Sequence, residues 1–330
     1  MANIYSSITQ LVGNTPLVEL TNFEKQKSLN AKILGKLEYF NPSGSIKDRA
    51  ALNMILEAEK NGQLQPGGTI LDFTSGNTGI ATAAFANARG YKYIVILQPA
   101  VSAERTQILK AYGAELVPCN EVPGFLDVMK GGLSFAKLNI VLGEYAKSRN
   151  AFYIDQGSNE ANPESHYKTT GPEIWKDTDG KIDYFVALVG TGGTLAGVAK
   201  YLKEQNPEIK IVGVQPSNAS LKDAAHPEKH TIDGVLQFSN VPVEREPPFF
   251  REAQWQTDEL LSEVINIDAD DAYQTGRDLV RSDGIFLGQS AAAAIKAAEI
   301  IAKREDAKGK TIVAVLADNA FKYLSTDIYR

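Results

Sequence analysis

Four short stretches of this 330-residue chain gather side chains that have chemistry to offer. In "NPSGSIKDRA", residues 41 to 50, Lys47 follows Ser43, Gly44 and Ser45, small residues that let a ligand lie close to the backbone beside an amine. A solvated surface lysine needs no such neighbours, whereas a lysine that holds a ligand covalently does. In "YFVALVGTGGTLAGVAKYL", 184 to 202, an apolar strand pattern runs into Gly190, Thr191, Gly192, Gly193 and Thr194, then into an amphipathic helix pattern. Glycines let N–H groups close round an anion, the threonines add hydroxyls, and a helix start adds partial positive charge, so the stretch reads as a phosphate cradle. It lacks the Lys-Ser/Thr of a nucleotide P-loop, which argues against ATP.

The third stretch, "DFTSGNTGIATAAFA" at 72 to 86, has the same strand-turn-helix build. Thr74, Ser75, Gly76, Asn77 and Thr78 offer N–H groups and hydroxyls suited to a carboxylate; a plain helix cap is the other use for Asn77. In the fourth, "GIFLGQSAAAAIKAAEII" at 284 to 301, Ser290 opens an alanine-rich helix, either as its cap or as a hydroxyl for a ring nitrogen held at that end. An amine able to form a Schiff base with an aldehyde cofactor, a phosphate cradle, a carboxylate cradle and a serine at a helix start make a coherent set.

The elements that must position them alternate. Strands are predicted at 31–39, 69–75, 91–99, 114–119, 151–155, 184–190, 210–216 and 311–318, with helical stretches at 46–60, 77–90, 102–113, 192–205 and 290–304 between them. Several strands are unbroken apolar runs, as expected where both faces of a parallel sheet are covered. Strand then helix, repeated, predicts an α/β fold. The region from about 217 to 255 carries few periodic signals, and no linker divides the chain, so two domains have to interweave.

Composition narrows the field. A net charge of −6 argues against a general nucleic-acid binder. The single cysteine, Cys119, excludes an internal disulfide and suits a reducing cytoplasm. His226 and His230 have the spacing of two ligands on a helix face, but Pro227 breaks that helix, so no metal site is expected. The N-terminus does not read as a signal peptide, and no stretch has the ~20 apolar residues of a membrane span.

"NPSGSIKDR", "TSGNTG", "GTGGT", "ANPESHYKTTGPEIW" and "KYLST", in this order, resemble the cysteine synthase and cystathionine β-synthase family, pyridoxal-phosphate enzymes of the tryptophan-synthase-β fold. The resemblance runs from "LVGNTPLVEL" (11 to 20) to "YLST" (323 to 326) and looks most like the O-acetylserine sulfhydrylases. It implies two intertwined α/β domains, each with a mostly parallel sheet flanked by helices, and pyridoxal 5'-phosphate in the cleft between. The smaller, mobile domain would span 41–149, and the larger would take 1–40 and 150–330. By resemblance Lys47 carries the cofactor as an internal aldimine. Gly190 to Thr194 bind its phosphate, Asn77 its ring hydroxyl, and Ser290 faces its ring nitrogen. Thr74, Ser75, Gly76, Thr78 and Gln156 receive the substrate carboxylate.

The implied reaction is β-replacement on an activated L-serine, O-acetyl-L-serine first, through an aminoacrylate that sulfide converts to L-cysteine. A serine at the ring nitrogen leaves it essentially neutral, which suits prompt loss of a β-substituent. A homodimer is the family's habit, and serine acetyltransferase is a partner many members take.

Departures from the usual pattern leave the acceptor open. Gly157 stands where a bulky Phe is common, and "TIDGVLQFSN" (231 to 240) brings in Asp233, Leu236 and Gln237. Ala291 to Ala293 follow Ser290, "ADNAFKYLST" closes the pattern, and residues 120 to 140 look enlarged. Gly157 and Asp233 are the candidates for acceptor specificity. Alternatives are the same chemistry with homocysteine, cyanide, an amine, or water with release of sulfide from cysteine, and a weakly active member that binds a partner protein. Neither a regulatory extension nor a haem-binding one is seen, which leans toward cysteine synthase. A dinucleotide-binding Rossmann protein would want G-x-G-x-x-G after its first strand, and "GTGGT" comes too late with the wrong spacing.

Overall fold

The computed structural model of the protein describes residues 4–74, 76–97, 102–130, 134–222, 226–250 and 254–330. Its strands are β1 (Leu17–Glu19), β2 (Lys32–Leu37), β3 (Thr69–Phe73), β4 (Lys92–Leu97), β5 (Glu115–Pro118), β6 (Ala151–Tyr153), β7 (Tyr184–Leu188), β8 (Lys210–Pro216), β9 (Glu263–Ile267) and β10 (Thr311–Leu316). They form two sheets, one of order β1-β2-β10-β7-β8-β9 and one of order β5-β4-β3-β6. Every pairing is parallel except β1 with β2.

The apolar runs are explained by what covers them. In β10, Ile312, Ala314 and Leu316 join the alanine face of the Gln289–Ala302 helix. Val313 and Val315 point the other way, toward Leu195, Val198 and Leu202 of the Gly193–Gln205 helix. With both faces buried, alternation has no reason to appear. The smaller sheet is covered likewise. Ile70 and Val95 pack with the Lys47–Lys60 and Asn77–Arg89 helices, while Leu71 and Ile94 pack with Leu138 and Leu142 of the Phe135–Ser148 helix. Ala291, Ala292 and Ala293 have no exposed surface and belong to the core behind the larger sheet.

The two domains interweave as expected. The chain builds β1 and β2 of the larger sheet, crosses to build β3 to β6, then returns for β7 to β10. The boundary expected at 149 needs a correction, because Ala151–Tyr153 pairs with β3 in the smaller sheet, and Ile154 and Ala161 join its core. The irregular region 217 to 255 holds only short 3-10 turns among its described residues. No helix among the described residues is long and apolar enough to cross a membrane.

Candidate active site

The carboxyl ends of parallel strands are where helix starts and exposed N–H groups collect. In the smaller sheet β3 and β6 are neighbours, so the turns that follow them meet, and the Thr78 hydroxyl donates to Gln156 Oε1 at 2.7 Å. In the larger sheet β10 lies beside β7, which places the glycine turn after β7 next to the residues that follow β10.

At the ends of β7 and β10, beside the start of the lysine helix, lies a cleft of ≈ 450 Å³, and Lys47, Gly190, Thr194, Gly234 and Ser290 are among the residues that line it. Lys47 is the first residue of its helix. Its N–H donates to the Ser45 hydroxyl at 3.3 Å, and the preceding turn is tied down by Asp48, which accepts from both the backbone and the hydroxyl of Ser43. Burial lifts the Asp48 carboxyl to about 6 against those bonds. The Lys47 amine itself makes no hydrogen bond or ion pair with any described residue. Desolvation pushes its affinity for a proton down, with Asp72 opposing.

The glycine turn is shaped by close approach. A Cβ at Gly190 would meet the Gly234 carbonyl oxygen at 2.6 Å, and Gly192 has φ +92°, which only glycine takes readily. Gly192 caps the Gly193–Gln205 helix. The two threonines are held from behind. Asn162 Nδ2 donates to Thr191 Oγ1 at 3.2 Å and to the Gln156 carbonyl at 2.7 Å, and His166 Nε2 lies 3.2 Å from Thr194 Oγ1. Burial, with the charges of Arg49 and Lys47, keeps His166 neutral, and its Nδ1 meets Thr170 Oγ1 at 2.9 Å. His166 opens a π-helical turn, His166–Thr170, an irregularity that often marks functional sites. Asn162 and His166 stand inside the "ANPESHYKTTGPEIW" stretch, but nothing in their spacing says which turn they support.

Neither capping role considered for the other two motifs is realised. Gly76 caps the Asn77–Arg89 helix and Gly288 caps the Gln289–Ala302 helix. Asn77 is free to donate through Nδ2 to Asp318 Oδ2 at 2.7 Å and to accept from Lys322 Nζ at 2.9 Å. The Ser290 hydroxyl has no hydrogen bond to a described residue. Thr74 is buried at the end of β3, and Ser75 lies outside the described residues. Gly157 has only Asp155 Oδ1, at 3.7 Å, within reach of an added Cβ, so a side chain would find room there. Asp233 does not line the cleft with Lys47. Its carboxylate pairs with Arg105 at 3.4 Å, beside a neighbouring polar hollow that also holds His230 and Tyr273.

A buried ionic knot fixes the lysine helix. Arg49 donates to Glu38 through Nε at 2.8 Å and Nη2 at 2.9 Å, and to both Glu173 oxygens at 2.7 Å. Lys36, with no exposed surface, adds a contact to Glu173 at 3.0 Å. Burial would lift the Glu173 carboxyl, but Arg49 and Lys36 hold it down at about 2.

Comparison with known proteins agrees with this geometry. Residues 8–318 match the family described as pyridoxal-phosphate dependent enzyme. The chain is 41% identical over 324 residues to a cysteine synthase of Staphylococcus aureus, covering 98% of this chain and 96% of that protein. Among solved structures, a cysteine synthase (OASS) of Entamoeba histolytica superposes with a TM-score of 0.82 at 36% identity, covering 99% of this chain and 91% of that one. An O-ureido-L-serine synthase superposes with a TM-score of 0.83 at 35% identity, covering 99% and 95%.

Proposed function

The chain belongs to the family of pyridoxal-phosphate dependent enzymes, and from that premise we propose that it replaces the β-substituent of O-acetyl-L-serine with sulfide to give L-cysteine. The observation that carries the reading is that the Lys47 amine and the Ser290 hydroxyl, neither bonded to any described residue, share one cleft with the glycine turn at Gly190 and Thr194. These donors suit the cofactor: an amine for its aldehyde, a turn of N–H groups at a helix start for its phosphate, and a neutral hydroxyl for its ring nitrogen.

When bound, pyridoxal phosphate supplies the electron sink that acidifies the α-proton of an amino acid and lets its β-substituent leave. Lys47 would anchor the cofactor by its amine in the resting enzyme. The same desolvated amine would take the α-proton of the substrate and return it. Gly190, Thr191, Gly192, Gly193 and Thr194 would hold the phosphate, and Asn77 would meet the ring hydroxyl. Thr74, Ser75, Gly76, Thr78 and Gln156 receive the substrate carboxylate. The junction of Thr78 with Gln156 supports that last assignment, since both turns of the smaller sheet then act on one group. The smaller sheet would close over the substrate and exclude water.

A second reading keeps the β-replacement chemistry and changes the donor or the acceptor: homocysteine, cyanide or an amine as acceptor, or water with release of sulfide from cysteine. The open space at Gly157 and the likeness to an O-ureido-L-serine synthase favour it. Asp233 would act there through its pair with Arg105 rather than as a free base. The proposal extends to a cytoplasmic homodimer, with serine acetyltransferase as the partner to test; the lone buried Cys119 suits that compartment.

The test is the visible absorbance of the purified protein before and after O-acetyl-L-serine is added. A yellow protein whose band shifts with the donor and recovers with sulfide, releasing cysteine, supports the first reading. Recovery with another acceptor but not with sulfide selects the second. A colourless protein that takes up no added pyridoxal phosphate refutes both.

A further inference from the structure

A buried lysine, Lys322, stands beside Lys47 at the same site without a part in the reaction outlined above. Lys322 is 7% exposed, and its Nζ donates to Asn77 Oδ1 at 2.9 Å, to the Ser43 carbonyl at 3.2 Å and to the Gly44 carbonyl at 3.4 Å. Three acceptors use all three protons of an ammonium. Ser43 and Gly44 belong to the turn that leads into Lys47, so one cation joins that turn to the first residue of the Asn77–Arg89 helix. On the other side of Asn77, the fully buried Asp318 accepts from Asn77 Nδ2 at 2.7 Å and from the Tyr323 hydroxyl at 2.7 Å.

These partners remove an ambiguity that a lone asparagine would keep. An amide carries one acceptor oxygen and one NH₂, and either end can face a neighbour that both donates and accepts. An ammonium only donates, so the Asn77 oxygen must face Lys322. A carboxylate accepts, so the NH₂ must face Asp318. One Asn77 N–H is then spent on Asp318 and the second remains unspent.

We infer that Lys322 and Asp318 are positioning residues that lock the Asn77 amide in one orientation and present its second N–H to the cofactor's ring oxygen. The inference rests on the reading of the site as a pyridoxal-phosphate site. It adds that the donor at Asn77 depends on two residues from the last fifteen of the chain. Neither touches the reacting atoms.

The experiment pairs cofactor affinity and spectrum with a stability cycle. Lys322→Met is expected to weaken equilibrium binding of pyridoxal phosphate by about tenfold or more, as for a lost charge-assisted hydrogen bond. It should also change the pH profile of the bound cofactor's visible bands, whereas Lys322→Arg restores both. Asn77→Asp sets a carboxylate against Asp318 and is expected to lower the urea midpoint of the cofactor-free protein. Adding Asp318→Asn recovers most of that loss, because the donor and acceptor pattern is complete again. Additive losses in the Asn77→Asp, Asp318→Asn cycle overturn the lock. Unchanged cofactor affinity and bands in Lys322→Met overturn the positioning role in a native protein that does bind pyridoxal phosphate. A native protein that binds none refutes the functional reading, and the positioning role with it.

Discussion

Replacing Arg49 by methionine tests whether the ionic knot is what holds the lysine helix in register. The guanidinium is the shared partner of two carboxylates, and its side chain is only 1% exposed, with Glu38 fully covered. Methionine keeps much of the volume and removes every donor. Glu38 is then left with the Thr15 hydroxyl at 2.8 Å and the Asn41 amide at 2.9 Å as hydrogen-bond donors, and no opposite charge bonded to it. Removing one side of a buried pair costs about 3–5 kcal/mol, out of a total stability of roughly 5–15 kcal/mol. The expected loss is therefore about 40% of the stability at the middle of both ranges, read as a lower free energy of urea unfolding at neutral pH, with native and variant at equal cofactor loading.

Acid titration gives an independent check on sign. Glu173 is held at about 2 in the fold, below its ordinary 4.5, despite the opposing effect of burial. A depressed carboxyl contributes stability that is present above about 4.5 and is lost as pH falls from there toward 2. Arg49 is its main partner, so the gap between native protein and Arg49→Met should narrow across that window. Arg49→Lys, which keeps charge but not the fork, should fall between them. A loss below about 1 kcal/mol in Arg49→Met, no more than a surface pair is worth, together with a gap that does not change with acid, would refute the reasoning.

Lys47→Ala should abolish turnover and the lysine-dependent visible band while leaving the circular dichroism spectrum native; β-replacement at the native rate would sink the assignment. Gly190→Ala pushes a methyl group against the Gly234 carbonyl, and a loss of pyridoxal phosphate affinity of about tenfold, comparable to one lost bond to a charged group, is expected by absorbance titration; native affinity would mean the wall yields freely. Asp72 is lifted to about 8 by burial and by the charge of Asp155. A raised carboxyl costs stability progressively as pH climbs from 3.8 to about 8. Asp72→Asn should therefore melt higher than native at pH 8 and about the same at pH 4, and equal melting at both would contradict the burial argument.

Much of this was legible because it is local. The eight predicted strands are all present; those inside the sheets, such as β4, β7 and β10, are apolar runs covered on both faces, while β5 and β6 are short, half-exposed edge strands. The two that were missed are edge strands: β1 has three residues, and β9, "EVINI", follows the irregular region and alternates with polar residues. The Ala269–Asp283 helix was also missed, because its buried stripe of Ala272, Tyr273, Gly276 and Leu279 hides among charged neighbours. At the site, the glycine turn and Lys47 could be found from spacing. The partners could not: Asn77 meets residues 241 and 245 positions away, and Arg49 meets one 124 positions away. Capping was a reasonable expectation for Asn77 and Ser290, but a glycine before each helix took that place.

The start of the lysine helix has one foot in each sheet. Its body packs in the core of the smaller sheet, yet the Ile46 N–H donates to the Ala317 carbonyl at 2.9 Å, and Ser45 bridges Asp318 just beyond β10 of the larger sheet. Lys47 therefore stands at the seam between the two. Asn77 is tied to the same seam through Asp318 and Lys322, so the Lys47 helix start and the Asn77 amide share one anchorage on the residues that follow β10. Contacts to the larger sheet, rather than the packing of the smaller one, thus set where both groups stand against the glycine turn after β7.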